Sequence, residues 1–185
     1  MTFVDEKLAL LKAECHDILD IGSGPSSVLR IFFAGRNYKS VDIDPHSNAD
    51  IITDAHTLAP VVDASVDAIV SFNLLEHLHS PQQAADAMHR VLKPNDGRLL
   101  LSTPFLHPYH GGNCPDYYRF SKDGLRYLFR EFRDVTIVND GGFFYAMQYF
   151  LPAQLDWARP AFRLFDRLLT ARRASGHATI IWART

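Results

Sequence analysis

Five residues near the start of the chain have types and a spacing suited to holding a nucleoside. In Ile18–Ser27, ILDIGSGPSS, an acid, Asp20, stands two residues before the turn Gly22-Ser23-Gly24. Glycine lets the backbone turn sharply and lets a ligand approach it. A lone GxG is weak by itself, because glycine turns joining a strand to a helix are common. Asp42 follows about 20 residues on, in VDID, where an acid can accept hydrogen bonds from ribose hydroxyls. Asp54, in ITDA, can accept from an adenine amino group. A dinucleotide fingerprint wants a third glycine near Ser27, which is missing, and has no need of an acid at Asp20. A carboxylate beside the loop suits a ligand with a cationic end better than a pyrophosphate.

A second group lies in Thr103–Ser121, TPFLHPYHGGNCPDYYRFS. Histidine titrates near neutrality, so His107 or His110 can serve as a general base. Tyr118 and Arg119 are candidate acceptor contacts, the arginine for an anionic group and the tyrosine for a ring. The alternative is structural: Asp116 and Arg119 pair and pin the loop while the tyrosines pack. His107, His110 and Cys114 have no recognised zinc spacing, and no metal is expected. Glu76 and His77, in LEHL, either touch substrate or open a helix whose leucines pack inward.

The elements that must position these groups alternate. Asp17–Gly22, Tyr38–Asp44, Ala49–Ala55, Val66–Asn73, Gly97–Pro104, Asp134–Asp140 and His177–Thr185 read as strands. Ser26–Ala34, Pro81–Pro94 and Ser121–Phe132 read as helices, with Pro81 near a start and Ser121 as an N-cap. The N-terminal stretch reads as a short amphipathic helix. Apolar strands alternating with helices imply a mostly parallel sheet covered on both faces, with ligands beyond the carboxyl ends of the strands. Both groups of residues follow strands, where such a site belongs.

Taken together, ILDIGSGPSS, SVDIDP, ITDAHTLAP, VDAIVSFNLLEHLHSP and HRVLKPNDGRLLLSTP resemble the class I S-adenosylmethionine-dependent methyltransferases, and more narrowly the type 11 domains. The resemblance covers roughly Asp17 to Phe132. It implies a Rossmann-like α/β fold, a seven-stranded sheet in the order 3-2-1-4-5-7-6 with the last strand antiparallel. It implies S-adenosyl-L-methionine as cofactor and S-adenosyl-L-homocysteine as product. Asp20, Gly22, Ser23 and Gly24 would line the methionine end. Asp42 would bind the ribose hydroxyls, with Ile43 against the adenine, and Asp54 and Ala55 beside its amine. Asn73 would lie near the sulfonium, and Leu74 along the pocket wall. Ser26 stands where the family often has a third glycine. The segments PHSN and HTLAPVVDAS are too short for the usual helices, so the sheet edge beside the adenine pocket should be thinly covered.

Composition sets the outer bounds. A chain of 185 residues, 47% hydrophobic and 22% charged, fits one domain, here 1–185. The formal net charge of −2 argues against a general nucleic-acid binder. No [DN]PP[YF] run follows the fourth strand, which disfavours methylation of base amino groups. Two distant cysteines, Cys15 and Cys114, and a start without a signal-peptide pattern point to a cytoplasmic setting. Residues 141–176 separate the last two strands, where a hairpin loop of about 2–5 residues is usual. Within them 143–173 reads as a helical insertion, with Phe162, Phe165, Leu168 and Leu169 on one face and arginines outside it. A cap on the sheet is favoured over a dimer surface or, through 159–173, a membrane-surface helix. The expected activity is methyl transfer to a small-molecule or glycan- or lipid-linked acceptor, preferably at oxygen, by a monomer or homodimer. The rivals are an inactive binding or interaction module on the same fold and a nicotinamide-dependent oxidoreductase.

Overall fold

The computed structural model describes residues 2–25, 28–112, 114–152, 157–162, 164 and 178–185. Seven strands form one sheet: β1 (Asp17–Ile21), β2 (Asn37–Asp42), β3 (Ile51–Ile52), β4 (Ala68–Phe72), β5 (Arg98–Pro104), β6 (Arg133–Asp140) and β7 (Ala178–Arg184). Their order is β3-β2-β1-β4-β5-β7-β6, with β7 antiparallel to both neighbours and the pairs from β3 through β5 parallel. This is the order expected from the sequence. Strand order reverses between β1 and β4, so a crevice opens beyond their carboxyl ends.

Alternation along the strands divides the core between the two faces. Leu19 and Ile21 of β1, Ile69 of β4, Leu99 and Leu101 of β5 and Ile181 of β7 pack on one face with helices α3 (Pro81–Val91) and α4 (Lys122–Leu128). Ile18, Ala68, Val70, Leu100 and Trp182 pack on the other with Leu11 of α1 (Phe3–Glu14) and Leu29 of α2 (Leu29–Phe32). Each central strand is therefore apolar on both sides, as a covered parallel sheet requires.

Local signals end most elements. Thr2 and Asp5 close a capping box on α1, satisfying two backbone donors reciprocally. Ser121 Oγ accepts the Gly124 amide at 3.1 Å and caps α4. The Asp67 carboxylate accepts the His16 and Asp17 amides, both at 2.8 Å, and the Lys93 ammonium at 2.6 Å, tying the amino ends of β1 and β4 to the chain after α3.

Several elements are shorter than the sequence implies: α3 ends at Val91 and α4 at Leu128, and two others shrink further. The helix expected over 26–34 is a single turn, Leu29–Phe32, and Ser26 and Ser27 lie outside the described residues. Gly35, at φ +88°, turns the chain out of it towards β2. The strand expected over 49–55 is only Ile51–Ile52. On one side Asp50 turns back to accept the Ser40 amide and the Arg30 guanidinium, both at 2.7 Å. On the other, Asp54 closes a turn by accepting the His56 amide at 2.8 Å. The edge beside β3 is thinly covered as expected: Ile43, Ile52 and Val62 are exposed. Helix α5 (Phe143–Met147) opens the long segment before β7. Its basic amphipathic part, with Phe165, Leu168 and Leu169, lies outside the described residues. No described helix is long and apolar enough to cross a membrane.

Candidate functional site

The crevice at the switch point is a cavity of about 490 Å³. Gly22 and Gly24 from the loop after β1, Asp42 and Ile43 after β2, Asp54 and Ala55 after β3, and Asn73 and Leu74 after β4 line it. Short sequence motifs become one wall because each follows a parallel strand and all these strands end on the same edge.

The glycine loop is set by its backbone. Gly22 and Gly24 have φ of +76° and +65°, which L side chains rarely adopt. A Cβ at Gly22 would meet Leu74 Cδ1 at 2.9 Å, so the loop and the wall after β4 touch because Gly22 has no side chain. A Cβ at Gly24 would meet nothing within 4 Å, which leaves open space over that backbone. Ser23 does not line the cavity; its amide donates to the Val41 carbonyl at 3.3 Å. Asp20 is buried and accepts the Tyr38 hydroxyl on the α1–α2 side of the sheet, so it supports the loop from beneath rather than lining the cavity.

Asp42 and Asp54 stand on facing sides of two turns. Asp42 accepts the amides of Gly24 at 2.9 Å and Asp44 at 3.0 Å. Burial raises the Asp54 carboxyl pKa, but hydrogen bonds from the His56 amide and ring outweigh it and hold the group below its usual range. His56 Nδ1 lies 2.6 Å from Asp54 Oδ1, and the His56 ring stacks on His79 at 4.2 Å. Ile43, 64% exposed, offers an apolar face at the mouth. Asn73 takes a left-handed conformation, φ +53°, which asparagine tolerates, and this turns the chain off β4 into the cavity wall.

The lining also includes Thr53, Leu78, His79, Cys114 and Pro115, which motif spacing did not indicate, together with His77 of the LEHL turn and Tyr117. Cys114, Pro115 and Tyr117 arrive because the loop after β5 folds over the 3-10 turn Leu75–His77. The Tyr117 amide donates to the Glu76 carbonyl at 2.8 Å, and His77 Nδ1 lies 2.7 Å from the Pro115 carbonyl. No periodicity announces such a crossing.

The four residues expected on the acceptor side take different positions. Arg119 is committed to the loop itself. It donates to both oxygens of Asp116, at 2.5 and 2.7 Å, and to the carbonyls of Pro108 and Tyr118 at 3.1 and 2.8 Å. The Asp116 carboxyl is held far below the usual range, chiefly by Arg119. Tyr118 turns its hydroxyl to the His79 carbonyl at 3.1 Å and is not among the lining residues, whereas Tyr117 is. His107 packs on Tyr149 and His110, and burial lowers its pKa. His110 turns towards Glu76, with Nε2 at 3.7 Å from Oε1.

Chemically the cavity has a clear character. Among the described residues its lining includes two carboxylates and three imidazoles and no lysine or arginine. That set suits a cationic nucleoside and disfavours a pyrophosphate, whose sites recruit basic side chains or helix N-termini.

Comparison with known proteins agrees with this geometry. Residues 19–101 match a methyltransferase domain family. An uncharacterized methyltransferase of Mycolicibacterium vanbaalenii is 35% identical over 106 residues, which are 51% of this chain and 42% of that protein. The chain thus spans less than half the length of that relative. A SAM-dependent methyltransferase from Archaeoglobus fulgidus has a TM-score of 0.64 at 15% identity, over 98% of this chain and 94% of its own. Phosphoethanolamine N-methyltransferase 2 of Haemonchus contortus, in complex with S-adenosyl-L-methionine, has a TM-score of 0.64 at 14% identity, over 98% of this chain and 52% of its own. At such identities the structural likeness shows the fold alone, and the sequence match covers residues 19–101. Over residues 19–101 the chain is similar to the methyltransferase-domain family, and its seven-stranded sheet has the fold of these structural neighbours.

Proposed function

We propose that the chain binds S-adenosyl-L-methionine in the cavity beyond β1, β2 and β4 and transfers its methyl group to an acceptor held under the loop after β5. The observation that carries this reading is the cavity lining: two carboxylates, a glycine turn with open space over its backbone and, among the described residues, no lysine or arginine. S-adenosylmethionine supplies a methyl already activated on a sulfonium. Displacement at that carbon gains most from alignment and exclusion of water. Asp42 accepts the ribose hydroxyls while its amide bonds hold the carboxylate in place, and Ile43 flanks the adenine. Asp54 and the Ala55 backbone face the adenine amine. Gly22, Gly24, Asn73 and Leu74 enclose the methionine end, with Asp20 and Ser23 shaping the loop behind them.

For the acceptor we favour a small molecule, or a glycan- or lipid-linked one, methylated on oxygen. The histidines around the loop after β5 support this, because a hydroxyl must lose a proton on transfer, and His107 and His110 lie in that loop with ring centres 4.8 Å apart. Arg119 and Tyr118 support the acceptor wall by pinning the loop.

Calorimetric titration with S-adenosylmethionine, S-adenosylhomocysteine and NAD tests the reading. Micromolar binding of both adenosyl ligands, none of NAD, and weaker binding by Asp54→Ala are expected. Folded protein that binds neither adenosyl ligand would overturn it and leave an interaction module on the same fold.

A further inference from the structure

Glu76 is fully buried, yet one of its carboxylate oxygens has no hydrogen-bond partner. Oε2 accepts the Thr103 hydroxyl at 3.2 Å, while Oε1 accepts nothing. An orphaned carboxylate oxygen in a protein interior costs free energy and calls for a partner. Two imidazoles face it. His77 Nε2 lies 3.8 Å away and His110 Nε2 3.7 Å, both too far for a hydrogen bond. The three ligand atoms all lie within 4.8 Å of one another.

The other nitrogen of each ring is held from behind. His77 Nδ1 is 2.7 Å from the Pro115 carbonyl, which leaves Nε2 as the nitrogen turned towards Glu76. His110 Nδ1 lies 3.3 Å from both Asp116 Oδ2 and Arg119 Nη2, so the Asp116–Arg119 ion pair holds its far nitrogen. A carboxylate or carbonyl behind the far nitrogen is the arrangement that orients metal-ligating histidines. A buried carboxylate oxygen and two ring nitrogens therefore converge, and a cation among them would satisfy the orphaned oxygen.

We propose that Glu76, His77 and His110 form a divalent transition-metal site in the cavity wall. Two ligand atoms about 2.1 Å from a shared ion can be at most about 4.2 Å apart. Both separations from Oε1 meet that limit. The third pair lies within 4.8 Å, and His110 is the most exposed of the three. Two imidazoles and a carboxylate suit zinc, iron(II), cobalt(II) or manganese(II) better than calcium. Three protein ligands leave coordination positions open, and His77 already lines the cavity. The ion would therefore take an oxygen of the acceptor, lower the pKa of a hydroxyl and orient it. This role for the ion rests on the proposed methyl transfer; the site itself does not.

The test uses tag-free, chelator-treated protein titrated with Co²⁺, followed by visible absorption, and with Zn²⁺ by calorimetry. One ion per chain is expected, with cobalt d–d bands of an N/O site and affinity at least about 100-fold weaker in His110→Ala and His77→Ala, in line with the loss of a ligand. His89→Ala, outside the cluster, should bind as wild type does. His110 sits on a loop, so His110→Ala keeps the test clear even where Glu76→Gln fails to fold. Absence of stoichiometric binding, or equal binding by wild type and His110→Ala, would overturn the site. Adenosyl-ligand titration on the same samples separates the two proposals: intact adenosyl binding without metal binding would remove only the metal site.

Discussion

The carboxylate of Asp42 accepts the backbone amide of Gly24 at 2.9 Å, joining the end of β2 to the glycine turn after β1. One side chain therefore shapes the loop and faces the cavity. Asp42→Ala removes the acceptor for this amide and for that of Asp44. Charged hydrogen bonds of this kind contribute about 1.5–3 kcal/mol, so adenosyl affinity should fall about 10- to 100-fold. Asp42→Asn keeps one acceptor oxygen and should lose less. Calorimetry on both variants checks the order.

Gly22 is constrained twice, by φ +76° and by Leu74 at 2.9 Å from where a Cβ would be. Gly22→Ala should cost about 1–3 kcal/mol of stability and weaken adenosyl binding. Adding Leu74→Ala relieves the clash but not the backbone strain. The double variant should recover only part of the melting temperature in a thermal denaturation series.

Asp116 is 1% exposed and its partner Arg119 25% exposed. Arg119→Ala leaves a carboxylate buried with its main counter-charge removed, and frees the carbonyls of Pro108 and Tyr118. We expect a loss of about 1–3 kcal/mol, below the range for fully buried pairs because water reaches the arginine. Limited proteolysis should then cut within 105–119, while adenosyl binding changes little. Arg119→Lys should behave much like alanine, because an ammonium cannot reproduce the two-pronged contact.

Asp17 has its pKa lowered from 3.8 to about 2, first by the Asn37 amide and then by Lys93. A carboxyl lowered by folding stabilises the native state above its unfolded pKa. That contribution fades as pH falls through the folded value. The melting temperature should therefore drop between about pH 4 and pH 2, as the unfolded chain takes up the proton first. Asn37→Ala should flatten this part of the profile, and thermal melts at stepped pH measure it.

Much of the fold was legible in the sequence because its signals are local. Apolar runs, glycine turns and helix starts depend on neighbours within a few residues, and parallel strands impose one edge for their loops. Asp42, Ile43, Asp54, Ala55, Asn73 and Leu74 could be placed on that edge from their position after a strand alone. The short α2 and β3 were less legible. Asp50 and Asp54 each turn to bond elsewhere, and propensity does not reveal where a side chain turns.

The sequence by itself determined the alternation of strands and helices, the glycine turn and the acids at the ends of the second and third strands, and its resemblance to a known family implied the strand order. Only the tertiary structure decided that Asp20 faces Tyr38 rather than the cavity, that Arg119 is bound to Asp116, and that Glu76 meets His77 and His110. Glu76 and His110 are far apart in the chain and share no motif. Their meeting depends on how the loop after β5 crosses the turn after β4. That crossing is fixed by backbone bonds from Tyr117 to Glu76 and by the ion pair that holds the loop, and these exist only once the chain has folded.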